Sequence, residues 1–151
     1  YMQLGPLPLK IAADADRSTG LTTVDIIQYR FADVLLSKAE ALANMNGGGT
    51  QEAIDLVNIV RERAQIPPLE LTGHTDIDSF NTMILVERSH EYWCENGQYR
   101  SDLIRHGKYV EYANDLNGVS SESAPYKVLF PFSLERISEG KGAFLQNPGY
   151  N

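Results

Sequence analysis

Glu87, His90 and Glu91 stand together in the stretch "ERSHE". Residues three and four apart meet on one face of a helix. Two carboxylates and an imidazole on one face could hold a metal ion. Alternatively, Glu87 and Glu91, one turn apart, could share a proton and act as an acid–base pair. The surrounding residues favour neither. His90-Glu91 is followed by Tyr92-Trp93-Cys94, so the HExxH spacing of a zinc site is missing. A glycosidase would need two carboxyls facing a cleft, and no distinctive pair stands out. Arg88, Arg100 and Arg105 lie nearby, and a guanidinium fork matches the carboxylate plane. Glu87 and Glu91 are therefore expected to be ion-paired wiring between a third and a fourth helix. His90 reads as a surface or capping histidine and His74 falls in a turn. His106 falls in the last turn of a helix, where a cation is favoured.

Other chemistries fall away in the same manner. Cys94 is the only cysteine, which excludes an intrachain disulfide and a multi-cysteine metal site. Its neighbours Trp93 and Glu95 do not lower a thiol pKa, so its expected role is that of a buried structural residue. No nucleophile elbow, P-loop or dinucleotide fingerprint occurs, and "NGGGT" lacks the Lys-Ser/Thr that a phosphate loop requires. No catalytic residue, no metal and no cofactor is expected. What remains is aromatic. Sugars expose C–H faces that suit flat rings, while amides supply hydrogen bonds. Tyr109, Tyr112, Asn114, Asp115 and Asn117 share one polar segment. Tyr109, Tyr112, Asn114 and Asn117 are the candidate ligand-binding residues. Tyr92 and Trp93 are expected in the core.

The chain has 151 residues, 42% of them hydrophobic, enough for an ordinary globular core. Its formal charge is -7, and its charges are mixed along the sequence, which argues against nucleic acid as a partner. No stretch approaches the roughly 18–20 apolar residues of a membrane helix. The sequence opens on Tyr1, without a visible export signal, and is read as a processed protein or a piece of a longer one.

These residues need elements to position them. Residues 1–24 read as irregular, with "GPLPLK" and "DADRSTG". From Asp25 a helical period sets in, with Asp25 as cap and Gln28 at capping-box spacing. Ile27, Phe31, Val34, Leu35 and Leu42 form its apolar stripe. "NMNGGG" ends it, Thr50 caps the next helix, and "IPPL" stops that one. Residues 25–65 are thus a helix hairpin of tetratricopeptide type. Thr75 or Asp76 caps a third helix that stops near "ENG", where Gly97 can turn left-handed. "QYRSDLIRHG" is a short fourth helix ending at Gly107, so residues 76–107 are helical. Residues 108–151 form a loop-rich tail: one more helical turn, an extended "KVLFPF", and "SLERI" as a turn capped by Ser133. The fold class is mostly α, a helix pair plus further helices and long irregular loops, in a single domain spanning 1–151.

Five pieces occur in a telling order: "YRFADVLLSKAEAL", "AIDLVNIVRERAQ", "ILVERSHEYWCENGQYRSDLIRHG", "VLFPFSLERI" and "LQNPGYN". Together they resemble the C-terminal region of the SusD/RagB family, nutrient-binding outer-membrane lipoproteins of Bacteroidetes. The matching positions are residues 30–36, 39–41, 58–64, 87–88, 97–105 and 146–150. Two departures stand out: His106-Gly107 where the family often has Trp-Gly, and Phe130-Pro131-Phe132 where it often has Pro-Ile-Pro. The resemblance implies a tetratricopeptide-like scaffold in which the hairpin stacks on other helix pairs. It implies non-catalytic binding of oligo- or polysaccharide at the cell surface and delivery to a SusC-like TonB-dependent transporter. It further implies an outer-membrane location through a lipid anchor that this sequence does not contain. The other reading is a helical-repeat module that binds proteins and no carbohydrate.

Overall fold

A computed structural model describes residue 25 and residues 27–95, 97–116 and 123–150. Among these residues six α-helices follow in order: α1 (Phe31–Asn46), α2 (Gln51–Arg63), α3 (Ile77–Glu91), α4 (Gln98–Arg105), α5 (Tyr109–Leu116) and α6 (Leu134–Glu139). A 3₁₀ turn, Pro125–Val128, stands between the last two. Among the described residues there is no strand, and the mostly-α expectation holds. The chain divides into two compact units, Tyr1–Tyr99 and Arg100–Asn151.

In the first unit α1 packs against both α2 and α3. The contact face of α1 is made of Ala32, Leu35, Leu36, Ala39 and Ala43, all buried. Small residues on that ridge let the neighbouring helices approach closely. They meet Ala53, Ile54, Val57 and Val60 of α2 and Phe80, Met83 and Ile84 of α3. This shifts the stripe expected from sequence. Phe31 is 71% exposed, and Val34 and Ile27 are exposed as well.

The start of α1 also differs. Asp25 is exposed and outside the helix, which begins at Phe31 with Arg30 as an extended N-cap lacking a side-chain cap bond. The Arg30 side chain is drawn instead to Glu91 and Glu95, which fixes the chain's entry. At the other end Gly47 is left-handed, at φ 70°, and Gly48 N–H donates to Ala43 O at 2.9 Å, closing the helix. Thr50 caps α2 as expected, its Oγ1 accepting from Ala53 N–H at 3.2 Å. After α2, the Asn58 side chain donates to Leu69 O at 2.9 Å and accepts from Leu69 N–H at 2.7 Å. That tie holds the proline segment against the helix.

Asp76, rather than Thr75, caps α3. The Ser79 hydroxyl and then the Ser79 N–H donate to its carboxylate, and they hold it below its ordinary value of 3.8. A carboxylate with a depressed folded pKa stabilises the folded state above its unfolded value, and loses that effect as pH falls through the folded one. Asp76→Ala should therefore melt at a lower temperature than the wild type near pH 7, with the gap closing in acid. Circular-dichroism melts at both pH values test this; a gap that is constant with pH would contradict it.

α3 ends at Glu91, short of "ENG". Its last carbonyl is taken by Arg30, whose Nη2 donates to Glu91 O at 2.9 Å, and Glu95 N–H turns to Tyr92 O. Cys94 then takes a left-handed φ of 61° and is exposed, contrary to the buried role expected of it.

In the second unit Gly107, at φ 68°, terminates α4 as read from sequence. α5 runs for two turns, and "KVLFPF" is extended only from Leu129. Pro125 presets the 3₁₀ turn that takes in Lys127 and Val128, and its missing N–H is not needed there. Ser133 caps α6, its Oγ accepting from Arg136 N–H at 3.3 Å.

Candidate functional site

The two clusters that sequence singled out lie in different units. In the first, Glu87 pairs with Arg61 of α2, and Glu91 pairs with Arg30 and with Arg63 of α2. Arg88 reaches back to Asp33 of α1 at 2.8 Å and to Ser37 Oγ at 3.3 Å. The sequence pointed toward the fourth helix; these partners carry the wiring to α1 and α2. Tyr92 lies buried between two cations, with the Arg30 and Arg88 guanidinium carbons 5.0 and 5.3 Å from its ring centre. Burial, and then the charge of Asp33, push its phenol far above the ordinary tyrosine value. Its hydroxyl has no hydrogen-bond partner among the described residues. This cluster is an electrostatic keystone joining three helices. Both carboxylates are committed to arginines.

His90 is exposed, and among the described residues no group of three or more His, Cys, Asp and Glu is placed to hold an ion. Trp93, expected in the core, is half exposed, while Tyr92 is buried as expected. On the outer side of α2 an open groove of about 330 Å³ is lined by Asp55, Asn58, Ile59, Glu62, Ile66 and Pro68. It offers no aromatic ring to a sugar.

The second unit holds the aromatic candidates. Tyr109 and Tyr112 sit three apart on α5 and so share a side of it. Tyr109 is half-buried, and Tyr112 is 40% exposed. Asn114 Oδ1 accepts from Ser123 N–H at 2.6 Å. Asn117 lies outside the described residues.

Sequence reasoning passed over Arg100 as part of this arrangement. Its guanidinium carbon is 4.8 Å from the Tyr109 ring centre and 4.3 Å from that of Phe130. Its Nη2 donates to Val128 O at 2.8 Å. Phe130 is itself 71% exposed. The faint signal in the sequence is the Phe-Pro-Phe of residues 130–132, one of the two departures from the pattern that the sequence resembles.

The end of the tail pins this segment. Tyr150 Oη donates to Leu129 O at 2.7 Å, and Asn147 Nδ2 to Phe130 O at 2.7 Å. Gln146 accepts from Phe132 N–H and donates to Phe132 O, both at 2.9 Å. Tyr150 meets Tyr126 edge to face at 4.8 Å, and a Cβ on Gly149 would strike the Tyr126 ring at 2.4 Å. Gln146, Asn147, Gly149 and Tyr150 of "QNPGY" thereby acquire a physical reason.

Comparison with known proteins places these features in context. The model of the SusD family matches residues 3–150. A SusD-like protein of Formosa agariphila is 34% identical over 119 residues, covering 75% of this chain and 23% of that protein. A second SusD-like protein of the same organism is 30% identical over 135 residues, covering 85% and 26%. Among solved structures, surface glycan-binding protein A from Bacteroides thetaiotaomicron superposes with a TM-score of 0.65 at 26% identity, over 83% of this chain and 25% of that one. A SusD superfamily protein from Parabacteroides distasonis superposes equally well, TM-score 0.65 at 28% identity, over 88% and 29%. The chain spans about a quarter of the length of these relatives.

Proposed function

Since this chain belongs to the SusD family, we propose that it is the C-terminal part of a surface glycan-binding protein, which holds oligo- or polysaccharide without cleaving it. The observation that carries this reading is the superposition on surface glycan-binding protein A. Two features agree with it. Glu87 and Glu91 are each tied to arginines, which suits a scaffold rather than an acid–base pair. Tyr112 offers ring surface on α5 to a ligand, and Tyr109 and Asn114 lie on the same helix; Asn117 joins them as a candidate from its residue type alone. In this proposal the hairpin α1–α2 is scaffold, and the ligand passes on to a SusC-like TonB-dependent transporter. The complete protein sits at the outer-membrane surface on a lipid anchor. None of the helices among the described residues is long and apolar enough to cross a membrane.

Calorimetry and affinity electrophoresis of the complete protein against a polysaccharide panel test the reading. One glycan class should bind, no reducing sugar should be released, and Tyr112→Ala should weaken binding about tenfold. Release of reducing sugar would refute the non-catalytic reading. Undiminished binding by Tyr112→Ala would remove α5 from the site. A complete protein that binds no glycan but captures its protein partner would favour the interaction-module reading.

A further inference from the structure

We propose that Arg100 is the positioning residue of the glycan-binding face, clamping α5 to the segment 129–132 so that Tyr109 and Phe130 stand in a fixed arrangement. The inference rests on the glycan reading of α5 and deepens it. Three contacts converge on one side chain: the Tyr109 ring, the Phe130 ring and the Val128 carbonyl. A planar guanidinium can lie against two rings and still donate from its edge. An ammonium is a point charge and cannot serve both rings in that way.

The need for such a clamp lies in Phe130. Its backbone is held by the side chains of Asn147 and, one residue earlier, of Tyr150. Its ring is largely exposed, and an exposed ring ordinarily samples several rotamers. Contact with Arg100 favours one. A ring ordered beforehand gives up less side-chain freedom when a ligand stacks on it. On this view one face of Tyr109 is occupied by the cation, so Tyr109 acts mainly by holding Arg100. Tyr112 and the outer face of Phe130 are left to meet the C–H faces of pyranose rings.

Arg100→Lys, with Arg136→Lys on α6 as its control, separates this role from a purely structural one in the complete protein. Calorimetry against the polysaccharide that the wild type binds is paired with hydrogen exchange at the amides of Leu129, Phe130 and Phe132. Arg100→Lys should weaken binding about tenfold. It should speed exchange at those amides and leave exchange in α1, α2 and α3 unchanged. Arg136→Lys alters an exposed arginine of α6 that pairs with Glu139 and should keep the affinity. Unaltered affinity in Arg100→Lys overturns the proposal, as does an Arg136→Lys variant that loses binding as Arg100→Lys does. A wild type that binds no polysaccharide sinks the glycan reading itself, a failure visible before any variant is compared.

Discussion

Arg88→Leu is expected to destabilise the first unit by about 3–5 kcal/mol, because it strands a partly buried charge. Arg88 is 5% exposed and supplies a cation to Asp33 of α1. It also covers one face of the Tyr92 ring, and Tyr92 belongs to the core. Leucine would fill much of the volume but leave Asp33 facing apolar surroundings. Small domains have about 5–15 kcal/mol of stability in all, so the loss is a large share. Urea denaturation followed by circular dichroism measures it. Replacing both partners removes the stranded charge, so Arg88→Leu with Asp33→Leu should recover a good part of the loss. A midpoint unmoved by the single change would show that the ion pair is not holding α3 to α1.

Gly49→Ala should cost about 3 kcal/mol, through crowding rather than through backbone angle. A Cβ there would lie 2.0 Å from His74 O and 2.8 Å from Phe80 Cδ2. Neither neighbour is free to yield, since one is backbone and Phe80 is fully buried in the core. Gly48 is in the same position against Thr75 O, also at 2.0 Å. Gly47 differs: nothing lies near its absent Cβ, and its left-handed φ is the whole constraint. Gly47→Ala should therefore cost only about 1 kcal/mol. Thermal melts of the three alanine variants give the ranking. Equal losses at all three would mean that the loop shifts freely and that the close approach is not a constraint.

The triple glycine shows what the sequence could and could not convey. That "NGGGT" is a loop between helices followed from composition alone. That two of its glycines are packing surfaces depended on a partner loop twenty-odd residues away, which no local pattern reveals. The helix pair, the Thr50 and Ser133 caps and the end of α4 at Gly107 were legible because each depends on neighbours in the chain. The start of α1 was misplaced because Arg30 answers to Glu91 and Glu95, far along the sequence. The stripe of α1 departs from the expected one because bulk does not mark burial there. The buried ridge is built largely of alanine, and Phe31 and Val34 face outward. At the candidate site the aromatic residues of α5 could be named from their types. Arg100 could not, since its meaning lies in Tyr109 and Phe130, which fall to its side only in three dimensions.

The pinning of residues 129–132 by residues 146–150 has a consequence in time. A chain leaves the ribosome from its N-terminal side, and a unit can fold once its last essential contact has emerged. The ion-paired keystone of the first unit is complete when residue 95 is out. The second unit must wait for Tyr150, because Leu129 and Phe130 receive their backbone partners only from the far end of that loop. During this interval the apolar Leu-Phe-Pro-Phe stretch lacks the backbone partners that pin it. That stretch is what a holding chaperone would meet, and synthesis that stopped short of residue 146 would leave it permanently open.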